Sequence, residues 1–455
     1  MLATIKTNKK FYLSTLALAS PIVISQLGHT LVQTADTMIV GHFVGKIALA
    51  AISLSHAVFM IVLVIGLGIS YGLTPLIAQA NGASDKKECA LLLSNSFWIN
   101  LITGVILFCV VYFGSIIGMQ HADQDPNVVS EAKPYLFLLS LSILPLMLFN
   151  TFKQFAEGLG FTKQAMQVTI WGNVLNVVVA IILVKGLFGF KPMGIAGVGL
   201  ATLIDRILMM LVMMIFVLRS KHFKQHLAGF QFFATQWHRI KSILKIGAPV
   251  AMQYVFEVGA FAGASLIAGT IGALEQASHQ VAITLASMTY MMASGIAAAT
   301  TIKVGNNFGN QRYDRLKKFA NVSYHLVLIF MIFTAIIYTV FNKQLPYIIT
   351  QENEVIALAA QLLIIAGLFQ LFDGTQVVGL GILRGMGDVN IPTLITFFAY
   401  WIIGLPIGYL IGITFDYGVQ GIWYGLTLGL LTSSILLYFR YKYMIKNKLK
   451  ITDNA

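Results

Sequence analysis

The chain has 455 residues, 57% of them hydrophobic and only 10% charged. Water-soluble domains carry about 25% charged residues, so this composition excludes a soluble enzyme or binding module and indicates a polytopic membrane protein. The net charge of +13 does not point to nucleic acid, because the basic residues fall between the apolar runs, where they report topology.

Taken in chain order, Lys6, Lys9 and Lys10 precede an apolar run that contains Ala17-Leu18-Ala19, the outline of a signal peptide. The run continues to Gly41, so it reads as a retained first helix. At about 20 apolar residues per span, the sequence predicts an all-α protein with twelve transmembrane helices. They cover 11–41, 47–78, 89–117, 133–152, 164–187, 194–219, 243–271, 277–305, 316–341, 355–382, 392–414 and 419–441. The two cysteines, Cys89 and Cys109, sit in or beside the third and suggest neither a disulfide nor a metal site.

Carboxylates interrupt three of these runs: Asp36 in LVQTADTMIVGHF, Glu257 in APVAMQYVFEVGAF and Asp373 in GLFQLFDGTQVVGLG. A charge near the bilayer centre costs at least ~2.5–3.5 kcal/mol, so each acid must face a bundle interior or a wet cavity, where ions and substrates are handled. Helix 5 offers Asn173 and Asn176, three residues apart and so on one face, and helix 6 offers Thr202. These three serve equally as partners of Asp36 or as ordinary interhelical hydrogen-bonding groups. Helix 6 continues into the adjacent pair Asp205 and Arg206, which point about 100° apart and so toward different neighbours.

Methionine is frequent in helix 6 (Met209, Met210, Met213, Met214) and helix 8 (Met288, Met291, Met292). Flexible thioethers suit a drug cavity that repacks around varied ligands, though they also serve as plain packing. Tyr290 in helix 8 and Phe369, one turn before Asp373, can present rings to a cation or simply fill space. Between helices 6 and 7, SKHFKQHLAGFQFFATQWHRIKS (220–242) mixes aromatics and bases and reads as an amphipathic connector along the inner membrane surface.

Of the 30 Lys and Arg, 24 fall at the termini and the five alternate loops between them, against five on the other side (Lys46, Lys133, Lys185, Lys191, Lys343). The latter side carries Asp123, Asp125, Glu352, Glu354 and Asp416. This bias places both termini in the cytoplasm. The two halves also repeat: Pro21, Ile39 and Gly41 recur as Pro249, Ile267 and Gly269 at an offset of 228, and Gly68, Thr74, Gly82, Gly158 and Gly160 recur at 227. Duplication of a six-helix unit predicts an N-lobe (1–219), a linker (220–242), a C-lobe (243–443) and a basic cytoplasmic tail (444–455). Parallel repeats of this kind bind substrate at their interface and work by rocking.

The acids break the repeat, since Asp36 aligns with Ala264 and Glu257 with His29. Desolvation penalises a charged carboxylate, and two acids near each other oppose joint ionisation. Glu257 and Asp373 can therefore hold a proton or be neutralised by sodium with further oxygen ligands. No HExxH, GxSxG, Walker loop or CxxC occurs. That leaves no catalytic residue to assign and points to an energy source other than ATP hydrolysis.

ADTMIVGHFVG in helix 1 and FQLFDGTQVVGLGILRGMGDVNIP in helix 10, with Glu257 in helix 7, resemble the signatures of the MATE (multidrug and toxic compound extrusion) transporters, NorM-like branch, over about residues 10–440. The resemblance implies export of organic, often cationic drugs across the bacterial cytoplasmic (inner) membrane by a cation-coupled antiporter. It implies a monomer with no cofactor, sodium or protons as coupling ion, and no metal beyond sodium at Glu257 and Asp373. It makes Glu257 and Asp373 the C-lobe cation site and Asp36 the N-lobe acid. The family's proton-coupled branch has a second acid on helix 5, where this chain has Ala180. The alternative is a lipid-linked glycan flippase of related architecture. Its cavity should be basic, whereas Arg206 is the only deeply placed base expected here.

Overall fold

The computed structural model describes residues 8–121 and 126–453; Lys6, Asp123 and Asp125 lie outside the described residues. Among them, twelve helices are long and apolar enough to span a bilayer. They are α1 (Lys9–Phe43), α2 (Lys46–Gly82), α3 (Lys86–Ile117), α4 (Pro126–Gly158), α5 (Thr162–Lys185), α6 (Gly194–Arg219), α7 (Trp237–Ile271), α8 (Ala273–Gly309), α9 (Tyr313–Val340), α10 (Asn353–Gly385), α11 (Asn390–Thr414) and α12 (Gly418–Asn447). Short interruptions occur where the sequence weakens the ladder, at Gly72 in α2 and Ser142 in α4. In α11, π-helical turns at Phe398–Gly404 and Leu410–Thr414 flank the short α-helical stretch that holds Pro406. A proline lacks the N–H of the normal ladder and crowds the carbonyl four residues back, and a wider turn relieves both faults.

Two compact units result, one formed by residues 24–251 (unit 2) and one by 1–23 with 252–455 (unit 1). The division therefore falls inside α1 and α7, not in the connector between α6 and α7. Both crossings lie two residues after a proline, Pro21 and Pro249, which are themselves repeat-related.

Each unit repeats the contacts of the other. Thr74 donates to the side chain of Gln154 in unit 2, and Thr301 Oγ1 donates to the Gly381 carbonyl at 2.9 Å in unit 1. Gly158 lies so close to Ile77 that an added Cβ would sit 2.8 Å from it, and Gly385 is as tight against Val304 at 3.0 Å. Gly68 abuts Ala251 in the first half of α7, and Gly295 abuts Val23 in the first half of α1. The duplication read from sequence offsets is thus also a duplication of packing. Ala19 and Ile22 accordingly belong to a core of unit 1, with Val327, Val378 and Leu437, while Ile243 completes the core of unit 2.

The connector packs onto the helices of unit 2. Residues 220–236 form turns tied to α3, and 237–242 are already the first turns of α7. Phe223 is fully buried against Phe155, Phe161 and Phe216 at 4.8–5.9 Å. Trp98 donates to the Phe232 carbonyl, Gln231 N–H to Ser94 Oγ at 3.3 Å, and Gln236 N–H to Asn95 Oδ1 at 2.6 Å. The buried Asn95 also donates to the carbonyls of Leu91 and Ala234. Asn95→Ala should cost roughly 1–3 kcal/mol by leaving those backbone groups unpaired. Hydrogen exchange of amides 231–236 should then rise well above wild type; unchanged protection would mean that Asn95 does not hold the connector.

Candidate functional site

Unit 1 brings Glu257 of α7 and Asp373 of α10 together. Both are buried and lie within electrostatic range of each other. Helix α10 packs along α8 through Gly381 and Gly385, whose missing side chains let the helices approach closely. Tyr290 of α8 is hydrogen-bonded to Glu257 through its hydroxyl, so it engages the acid with its polar end and not its ring. Phe369 packs its ring between Phe261 and Trp423, with centroids at 6.1 and 5.3 Å. It forms an apolar wall one turn from Asp373.

Three further groups complete this surround. Tyr400 of α11 donates to Gln376 Oε1 at 3.0 Å and lies within range of both acids. Arg384, at the end of α10, acts electrostatically on Glu257 while donating to Gln253 Oε1 at 3.3 Å. Gln253 in turn donates to Thr393 Oγ1 at 3.1 Å. Two carboxylates, two phenols and an amide supply enough oxygen to coordinate a hard cation. Arg384 stands to one side as a fixed positive charge. Of the methionines assigned to a drug cavity, Met288 is exposed and Met291 and Met292 are half-buried.

Asp36 belongs to unit 2 and has its own polar layer. It is buried, and its Oδ1 has no hydrogen-bond partner among the described residues. Asn176 donates to Thr202 Oγ1 at 3.2 Å, joining α5 to α6. Asn173 seats its amide over Gly28 of α1, where a Cβ would come within 2.6 Å. Asp205 and Arg206 face different neighbours. Asp205 lies against Gly172 of α5, while Arg206 donates to Ser142 Oγ at 2.7 Å and sits 5.3 Å from the centroid of the Phe59 ring. Ala180, where a second acid would be expected on α5, is fully buried.

Several members escaped the sequence reading. Lys153 and Glu157 form a buried pair at 4.0 Å in α4, and the ring of His56 shares a hydrogen bond of 2.7 Å with Tyr135 Oη. The signal of Lys153 and Glu157 was present in the i, i+4 spacing of opposite charges. Ending the fourth helix at 152 placed Lys153 and Glu157 in a loop, and ending the tenth at 382 did the same to Arg384.

Comparison with known proteins agrees with this architecture. The MatE family model matches residues 21–182 and 249–410, one stretch in each half. The multidrug resistance protein MdtK of Photorhabdus laumondii is 31% identical over 438 residues, covering 95% of both chains. MdtK of Yersinia pestis is 32% identical over the same length and coverage. Among solved structures, the eukaryotic MATE transporter AtDTX14 superposes with a TM-score of 0.87 at 18% identity, covering 96% of this chain and 98% of that one. A MATE crystallised in complex with MaD3S gives 0.88 at 22% identity, with 97% of each chain covered. A twice-repeated family match, together with relatives above 30% identity along nearly the whole length, means that this integral, multi-pass membrane protein belongs to the MATE family of transporters.

Proposed function

We propose that the protein is a cation-coupled multidrug antiporter, driven by sodium or protons, which exports organic and often cationic compounds by rocking of its two lobes. The observation that carries this reading is the buried pair Glu257 and Asp373, mutually in range and lined by Tyr290 and Tyr400. Such a pair has reason to exist in an apolar interior if a positive charge arrives to neutralise it. The multidrug resistance proteins to which the chain is similar support drugs as the cargo. Asp36 contributes a separate acid in unit 2, and the site needs no bound cofactor.

The available driving force is adequate. One charge crossing ~100 mV supplies about 2.3 kcal/mol, and a tenfold ion gradient adds roughly 1.4 kcal/mol. Together these sustain substrate accumulation of roughly several-hundred-fold. Proteoliposomes without ATP should expel ethidium when a sodium gradient is imposed at equal pH, or when a pH step is imposed without sodium. Whichever gradient works names the ion, and transport that requires ATP would refute the antiporter.

A further inference from the structure

The polar layer of unit 2 holds two acids where the family resemblance led to an expectation of one. Asp36 comes from α1 and Asp205 from α6; each is only 4% exposed. Each also has an Oδ1 without a hydrogen-bond partner among the described residues, as do Asn173 Nδ2 and Asn176 Oδ1. Burying four such atoms in one layer is costly unless something visits them.

The backbone is shaped around Asp205. A Cβ at Gly172 would lie 2.5 Å from its Oδ1, so α5 leaves a notch that the carboxylate fills. Thr202, Asp205 and Met209 follow the helical repeat on one buried face of α6, which puts Asp205 one turn from the Asn176–Thr202 hydrogen bond. Asp205 and Arg206 both act electrostatically on Asp36. Among the described residues, however, the ion pairs are Lys153–Glu157, Arg239–Glu88 and Arg440–Asp388, and none joins Arg206 to either acid. Arg206 is instead held aside by Ser142 and the Phe59 ring.

Charge arithmetic gives this arrangement a meaning. Two carboxylates and one guanidinium sum to one negative charge, so one added positive charge makes the cluster neutral and a second leaves it in excess. The other titratable groups nearby are His29, His56, Tyr135 and the pair Lys153–Glu157, whose two charges cancel.

We propose that Asp36, Asp205 and Arg206 form one site in unit 2 that accepts a single positive charge, a proton or a monovalent cation. Asp205 is its second carboxylate, and Arg206 is the fixed counter-ion that turns away divalent cations. Asp205 thus does from α6 what Ala180 on α5 cannot. The assignment rests on the antiporter reading for its physiological meaning, but its charge preference is measurable without transport.

The test compares ethidium, a monocation, with methyl viologen, a dication, in proteoliposome efflux and in calorimetric binding to the purified protein. Arg206→Met should lower KM and Kd for methyl viologen relative to ethidium by about tenfold, as removal of a nearby charge requires. Arg206→Lys should restore the wild-type preference. Asp205→Asn should weaken ethidium binding by about tenfold, and Asp36→Asn/Asp205→Asn should weaken it further than either single variant, because Arg206 is then left as an unopposed positive charge. A probe preference unchanged by Arg206→Met, or a double variant that binds ethidium as well as either single one, would overturn the proposal. If the wild type moves neither probe under any gradient, the antiporter reading fails while the binding arm still decides the site. Should Arg206→Met not fold, the ethidium affinity of Asp205→Asn decides it, and a wild-type value is the refuting result.

Discussion

Glu257→Gln and Asp373→Asn are each expected to reduce ion-driven efflux by roughly 100-fold while the protein folds normally. Removing one full charge that faces a bound cation at several ångströms forfeits about 3 kcal/mol at an effective dielectric of 20, which is that factor in rate or affinity. The amides keep the shape and leave the lining hydroxyls in place, so the Tyr400 to Gln376 hydrogen bond should survive. The two acids share one surround, so the double variant should lose little beyond either single one. Tyr290→Phe should have a smaller effect, since it removes one hydrogen bond to Glu257 and leaves both charges. The measurement is initial-rate ethidium efflux from proteoliposomes, normalised to folded protein by size-exclusion chromatography. Wild-type rates from Glu257→Gln/Asp373→Asn would remove unit 1 from the coupling mechanism.

The second large effect is one of folding. Helices α11 and α12 meet along glycines spaced four apart, Gly404, Gly408 and Gly412 on one and Gly421, Gly425 and Gly429 on the other. A Cβ at Gly425 would land on the backbone of Gly408, and one at Gly421 on the backbone of Gly412. In lipid no hydrophobic force drives helices together, so close backbone approach supplies much of their attraction. Gly425→Val must push the helices apart and disturb the π-helical turns opposite, at a cost of about 3 kcal/mol or more. Purified Gly425→Val should aggregate or melt far below wild type in detergent. Gly114→Ala is the control, because a Cβ there meets nothing within 4 Å. It should be neutral or slightly stabilising, by up to about 1 kcal/mol. Equal behaviour of the two variants would show that the glycine seam is not required.

The acids were legible in the sequence because a charge inside an apolar run admits few explanations, and the repeat was legible because glycine and proline positions survive duplication. Tyr400 was not, since one tyrosine in an aromatic-rich helix gives no hint that it faces two acids. Lys153, Glu157 and Arg384 were lost to hydropathy itself: charged residues lower the local average, so a helix that carries them inside is trimmed before it reaches them. The role of Gly172 as the notch for Asp205 lies in a pair of side-chain positions 33 residues apart, and no periodicity encodes it. The division at Val23 and Ala251 was equally hidden, because hydropathy finds helices but not the partners along each half of a helix.

That division bears on how the protein is made. A ribosome that has released the first six helices has not yet supplied residues 237–251, which complete the packing of unit 2. The opening residues of α1, including Ala19 and Ile22, meanwhile have no finished partner until α8 to α12 emerge. Neither unit can mature as an autonomous translation product, and early helices must wait in the bilayer with unfilled seams. A gene cut between α6 and α7 would yield two polypeptides that each lack a piece of both units. Co-expressed, they should be stable only as a pair, each serving as the other's chaperone.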